Sequence, residues 1–245
     1  MPMMRIPPDR ALEEGEAVSD ETIQYDSSWG RRLPAVLGRE ILLGVVMRAL
    51  IYVHNRPKVY GRERLEDLRG PVLFASNHAS HLDTPIILMS LPKPFRRRTG
   101  VVAAADYFYK NKLKAGFVTL AFATLPIERS GVSKETSERI ERMIAERWNI
   151  LMFPEGTRTK DGTMKRLKRG VAYMANQYRM PIVPVYLTGT HESHGKGSKW
   201  PTPHPVTVRF GDPISPRRPG EHRELTAELQ EAFRVLAAES GRLVP

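Results

Sequence analysis

The sequence predicts an α/β fold: a three-layer sandwich with a mostly parallel or mixed sheet, preceded by an N-terminal amphipathic helix. Two observations carry the prediction. From residue 56 onward, short apolar runs alternate with stretches of helical period, and strands that alternate with helices are the mark of βαβ construction. Before that point, residues 33–53 are apolar at helical spacing but interrupted by Arg39, Glu40 and Arg48.

Composition bounds the rest. At 245 residues the chain can bury a full core as one domain of ordinary size and still carry an appendage. It has no cysteine, which excludes disulfides, thiolate nucleophiles and Cys-ligated zinc. Lys and Arg outnumber Asp and Glu by 38 to 27, a formal net charge of +11, which points to an anionic partner: nucleic acid, anionic lipid or a phosphorylated substrate.

Residues 1–30 carry Pro7, Pro8 and the acidic series Asp9, Glu13, Glu14, Glu16, Asp20, Glu21 and Asp26. With few large apolar groups to offset ordering, they are expected to form a mobile acidic arm. They lack the basic start, apolar core and small-residue cleavage pattern of a signal peptide. Residues 31–55 follow as a helix. Ile41, Leu42, Val45, Val46, Ala49, Tyr52 and Val53 share one side and the three charges the other. No clean run reaches the ~20 apolar residues needed to cross a bilayer, so the helix either lies in a membrane interface or packs on the core.

Residues 56–245 then form one domain. Residues 72–75 read as a buried strand and 85–91 as a short helix, with Thr84 as N-cap and Pro85 at the first helical position. A strand at 101–105, a helix at 106–122 and a brief strand at 125–127 come next. Ser133 can cap a helix whose Ile140, Met143, Ile144 and Trp148 recur at helical spacing. A strand at 150–153 precedes a helix marked by Val171, Met174, Ala175 and Tyr178. Residues 182–187 are a strand that Pro181 and Pro184 assign to an edge or a sharp bend, since proline cannot donate in a ladder. Residues 206–210 alternate as an edge strand would, and Leu225, Leu229, Phe233 and Leu236 form the face of a closing helix.

Three stretches fall at predicted strand ends, where ligands bind in such sheets. In Asn77-His78-Ala79-Ser80-His81-Leu82-Asp83 an imidazole precedes a carboxylate by five positions. That offset is roughly 140° on a helix and opposite faces on a strand, so the pair meets only across a bend. A histidine at a strand's carboxyl end, with Asp83 turning back to one ring N–H from just outside a helix N-terminus, is a candidate general base. The second stretch, Leu125-Pro126-Ile127-Glu128-Arg129, places a fixed cation after a short strand, suited to a phosphate or carboxylate. The third, Phe153-Pro154-Glu155-Gly156-Thr157-Arg158-Thr159, ends a strand at proline and adds a carboxylate, a flexible glycine, a hydroxyl and an arginine; successive N–H groups in such a turn make a concave anion site.

Together with the proline-bearing strand near residue 182, these stretches resemble in order and spacing the four sequence blocks of the glycerolipid acyltransferase superfamily, especially bacterial 1-acylglycerol-3-phosphate (lysophosphatidate) acyltransferases. The resemblance spans about residues 56–215. Its His-x4-Asp block is matched at Asn77, His78, Ser80 and Asp83, and its Phe-Pro-Glu-Gly-Thr-Arg block in full at 153–159. The second block is looser, with Ala123 where glycine is usual and Pro126 where phenylalanine is usual, though Arg129 keeps its basic position. Ala104-Ala105-Asp106 stands where many relatives carry a lysine.

The resemblance implies transfer of a fatty acyl group from acyl-CoA or acyl carrier protein to the free hydroxyl of a lysophospholipid, 1-acylglycerol-3-phosphate giving phosphatidic acid. It implies His78 as base and Asp83 as its orienting carboxylate, with Asn77 and Ser80 of that block among the substrate-binding residues. Arg129 and Arg158 would hold the acceptor phosphate, and Glu155, Gly156 and Thr157 would shape its site. No acyl-enzyme, metal or cofactor beyond the thioester donor is called for. The expected location is peripheral, on the cytoplasmic face of the cell membrane against an anionic membrane surface, with no nucleic-acid partner.

Other readings fit less of the chain. There is no Gly-x-Ser-x-Gly elbow for a serine hydrolase. Residues 189–196 miss P-loop spacing, and His191-Glu192-Ser193-His194 lacks the spacing that sets two zinc-binding histidines on one helix face. Another lysolipid or glycolipid acceptor stays open. A basic nucleic-acid or membrane-surface module, built on Arg96-Arg97-Arg98 and residues 158–169, would explain charge but leave His78 and Asp83 idle.

Overall fold

The structure, a computed structural model, describes residues 25–127 and 134–241. Most of the expected acidic arm, the capping Ser133 and Arg129 lie outside the described residues.

The chain runs through α1 (Leu33–Ile41), a π-helical turn (Leu42–Met47) and α2 (Arg48–Asn55) as one continuous helix, then β1 (Lys58–Tyr60), β2 (Leu73–Ser76), α3 (Asp83–Ser90), α4 (Lys93–Arg97), β3 (Thr99–Ala104), α5 (Ala105–Phe108), α6 (Lys112–Phe122) and β4 (Leu125–Ile127). There follow α7 (Lys134–Ala145), β5 (Asn149–Met152), α8 (Gly170–Tyr178), β6 (Ile182–Thr188), α9 (Thr190–His194), β7 (Thr207–Phe210) and α10 (His222–Ala238).

The seven strands form one sheet in the order β1-β7-β6-β2-β5-β3-β4. All neighbours are parallel except β6 and β7. Strands buried on both faces read as continuous apolar runs, and every residue of β2 is buried. On one face Ile140, Val171, Met174, Leu225, Leu229 and Phe233 join a core under α7, α8 and α10. On the other, Leu43, Ile51, Ile86, Ile87 and Leu88 join a core under the N-terminal helix and α3. The three-layer α/β expectation holds.

Several local expectations do not. β6 is interior, flanked by β2 and β7. Pro184 is tolerated there because its carbonyl accepts from Gly211 N–H (2.8 Å) just past the end of β7. Its missing N–H would have pointed to the same side, where the ladder has already ended. Gly211 is obligatory for the same contact, since a Cβ there would stand 2.8 Å from Pro184 Cγ. β7 is interior too, because β1, unrecognised in the sequence, pairs along its outer side. The helix expected over 106–122 breaks between α5 and α6, where Asn111 Oδ1 accepts Lys114 N–H (3.1 Å) as an N-cap. Trp148 lies beyond α7, buried in the core.

The N-terminal helix is two-sided in an unexpected way. Arg39 is not on a solvated side: it is 1% exposed, with its guanidinium donating to the carbonyls of Gly30, Thr119 and Leu120. Two of those carbonyls end α6, the negative pole of its dipole, and burial holds the Arg39 pKa down to about 10. Glu40 takes a two-pronged bond from Arg96 (3.0 and 2.9 Å) and a longer one from Arg97. Both charges therefore bind the helix to the domain. The apolar side, with Ile41, Val45, Val46 and Val53, is exposed, Val53 to 70%.

Candidate active site

β2 ends at Ser76, and the six residues after it form a tight bend into α3. The bend is built by its own polar groups. α3 starts two positions earlier than expected, capped at Leu82 in place of Thr84, so Asp83 is its first residue; Asp83 Oδ2 accepts from His78 Nδ1 (2.9 Å), Ala79 N–H (2.7 Å) and Ser80 N–H (2.8 Å). A carboxylate in a helix's first turn also meets the positive end of its dipole. Ser80 Oγ donates to the His194 carbonyl (2.6 Å) and accepts Leu82 N–H. Asn77 bonds both ways with Leu187 of β6, through Nδ2 to O (3.0 Å) and N–H to Oδ1 (2.8 Å).

The 153–159 stretch then closes over the histidine. The Phe153 ring stacks on the His78 ring, centroids 3.9 Å apart and 19° from parallel. Glu155 Oε1 accepts His78 N–H (2.7 Å), and Thr159 N–H donates to the His78 carbonyl (2.9 Å). Glu155 Oε2 takes Lys165 N–H (2.8 Å), which pins the basic loop as well. Burial pushes the Glu155 carboxyl above the usual range, against the lowering effect of those two N–H bonds. Gly156 adopts φ 72°, and a Cβ there would meet Lys168 Nζ at 3.1 Å.

His78 opens onto a cavity of about 1440 Å³ at the carboxyl ends of β3 to β5. Much of its wall is apolar: Leu82, Pro85, Val101, Val102, Phe117 and Phe122 are among its lining. Gly156, Thr157, Arg158 and Lys168 are also among its lining. Asn77, Ser80 and Glu155 are not among that lining: their side chains are buried and hydrogen-bonded to the backbone around the bend.

Sequence reasoning missed other cavity residues. His81, Tyr107, Lys114 and Lys196 all line it. Lys114 lies 4.0 Å from the Tyr107 ring centroid, a cation–π placement that brings an α6 lysine to the region where residues 104–106 lack one. The His81 pKa is pushed down to about 4, first by partial desolvation of a residue that is still exposed and then by Arg158, the neighbouring imidazoles and Lys114. Asn111 as a cap was the one readable signal for where α6, and so Lys114, begins.

The family model described as Acyltransferase matches residues 56–188. A 1-acyl-sn-glycerol-3-phosphate acyltransferase from Limnanthes douglasii is 32% identical over 170 residues, 68% of this chain and 57% of that protein. One from Cocos nucifera is 28% identical over 69% of this chain and 54% of its own. Tafazzin from Drosophila melanogaster is 29% identical over 82% and 60%. The chain thus spans a little over half the length of the curated relatives it matches. The crystal structure of the 1-acyl-sn-glycerophosphate acyltransferase PlsC from Thermotoga maritima shares the fold, with a TM-score of 0.68 over 90% of this chain and 85% of that one, at 22% identity. With the family match covering more than half of its length, this chain belongs to the acyltransferase family.

Proposed function

We propose that the protein transfers a fatty acyl group from an acyl thioester, acyl-CoA or acyl carrier protein, to the free hydroxyl of 1-acylglycerol-3-phosphate, giving phosphatidic acid. The observation that carries this is the 2.9 Å His78–Asp83 contact at the mouth of a large, mostly apolar cavity. That relatives from Limnanthes douglasii and Cocos nucifera are 1-acyl-sn-glycerol-3-phosphate acyltransferases supports the acceptor.

Asp83, held on Oδ2 by three donors, keeps the Nδ1–H tautomer of His78 and leaves Nε2 as the base. Nε2 takes the acceptor hydroxyl's proton as that oxygen attacks the thioester carbonyl. The tetrahedral intermediate collapses with loss of thiolate, and the imidazolium returns the proton to sulfur. Such a base is worth roughly 10²–10⁴ in rate. The N–H groups of His78, Ala79, Ser80, Gly156 and Thr159 are all engaged within the protein. Donors for the oxyanion therefore come from outside that set, with the backbone and side-chain groups of Thr157 and Arg158 in the cavity lining the nearest to the closing turn. Arg158 and Arg129 hold the acceptor phosphate, Arg129 on the strength of its sequence position.

The chain acts as a peripheral protein on the cytoplasmic face of the cell membrane. Among the described residues no helix is long and apolar enough to cross a membrane. The exposed apolar side of the N-terminal helix and the net charge of +11 support attachment to an anionic surface. The decisive experiment offers purified protein labelled acyl-CoA, or acyl carrier protein, with lysolipids that differ in headgroup. Label should enter lysophosphatidate first; label in none would end the proposal.

A further inference from the structure

The loop between α9 and β7 presents Trp200, 81% exposed, with Lys196 and Lys199 before it and Pro201 and Pro203 after it. Among the described residues it is the exposed tryptophan of a surface that also exposes Val53 (70%) at the end of α2.

The loop is tied at both ends. Asn55, the last residue of α2, donates through Nδ2 to Ser193 Oγ (2.7 Å) and to the His204 carbonyl (3.3 Å). His204 N–H donates to His54 O (3.0 Å), Val206 N–H to Asn55 O (2.9 Å) and Thr202 N–H to Ser193 O (2.8 Å). These bonds set the loop against the last turn of α2, where Tyr52 and Val53 are exposed. Its beginning is fixed to the catalytic bend: Ser80 Oγ donates to the His194 carbonyl, and Ser80 pairs with Gly195 as an isolated bridge. Lys196, the next residue, lines the cavity.

We infer that Trp200, with Lys199 and Lys196 beside it, is a second contact with an anionic bilayer, separate from the N-terminal helix. An indole is amphipathic, with an apolar body and one N–H donor, and sits at the headgroup level of membranes. The flanking lysines match the sign of an anionic leaflet. A single helix face gives the domain one line of contact with the interface; a second contact on a loop bonded to the end of that helix narrows the tilts left to the domain. Because the same loop is bonded to the His78–Asp83 bend, Trp200 sets which way the cavity mouth faces relative to the lipid that supplies the acceptor.

The inference rests on the peripheral attachment proposed above and adds the surface that orients it. The test uses Trp200→Phe, Trp200→Ala and Lys199→Glu in the full chain, with vesicles of phosphatidylcholine and phosphatidylglycerol. The difference in emission between wild type and W200F isolates Trp200 from Trp29 and Trp148. On vesicles that difference signal should shift to the blue and be quenched by lipids brominated near the headgroup. Lys199→Glu should weaken vesicle binding by about fivefold or more, the equivalent of one lysine near an anionic surface. Trp200→Ala should raise KM for vesicle-borne acceptor several-fold and leave turnover of a short, soluble acceptor unchanged.

Wild-type protein that binds vesicles while Trp200 stays in water overturns this inference alone. No vesicle binding by wild type overturns both it and the peripheral reading. Wild type that dimerises in light scattering, with W200A monomeric and equally vesicle-bound, assigns the tryptophan to a second copy of the chain and also overturns it.

Discussion

Glu155 and His78 stand 77 residues apart in the chain and are joined by a 2.7 Å bond from the histidine's backbone N–H to Glu155 Oε1. The carboxylate of one motif thus holds the main chain of the other. Glu155→Gln removes an acceptor from one of two buried N–H donors, His78 or Lys165, at a cost of about 1–3 kcal/mol. Urea denaturation should report that loss together with a fall in turnover; full activity at reduced stability would show that the bond does not position His78.

His78→Ala should abolish acyl transfer with folding intact. Asp83→Asn should lower turnover by several orders of magnitude, because a neutral amide no longer stabilises the imidazolium, and turning its NH2 toward Nδ1 would set it against the Ala79 and Ser80 N–H donors. Thioester release followed with a thiol reagent measures both, and near wild-type turnover in either variant would exclude His78 as base.

Arg158→Ala should raise the acceptor KM roughly ten- to a hundredfold, the equivalent of about 1.5–3 kcal/mol for a charged hydrogen bond, with little change in the acyl-CoA KM. Arg129→Ala should act in the same sense. Equal losses with phosphorylated and neutral lysolipids would argue against phosphate recognition.

The lowered His81 pKa carries a pH signature. At about 4 in the folded chain, against ~6.5 for an unperturbed histidine, the unfolded state binds more protons between those values. Stability is therefore full above about pH 6.5 and is lost as pH falls toward 4. His81→Phe should reduce that acid-side loss, read as a smaller drop in the urea midpoint from pH 7.5 to pH 5; an unchanged drop would place the titration elsewhere.

Val45→Glu with Val46→Glu puts two charges on the exposed apolar side of the N-terminal helix. The double variant should float poorly with anionic vesicles and acylate vesicle-borne acceptor slowly, while a short soluble acceptor is turned over as before. Unchanged flotation would mean that the helix is not the anchor.

Local chemistry made much of this protein readable from sequence. The alternation of apolar runs and helical periods specified the α/β sandwich, and the five-residue offset from His78 to Asp83 demanded the bend that Asp83 Oδ2 closes through three short-range bonds. These are interactions between near neighbours, and spacing reports them. What tertiary structure alone decided is which distant elements meet. Periodicity states that Pro184 lies in a strand but not that β7 stops where its missing N–H would point. It sorts Arg39 with the charges but not that the carbonyls at the end of α6 wait for it. It places Phe153, Glu155 and Thr159 in one turn but not around His78. Those contacts depend on strand order and helix placement, which arise when the whole core packs at once and no window of sequence records.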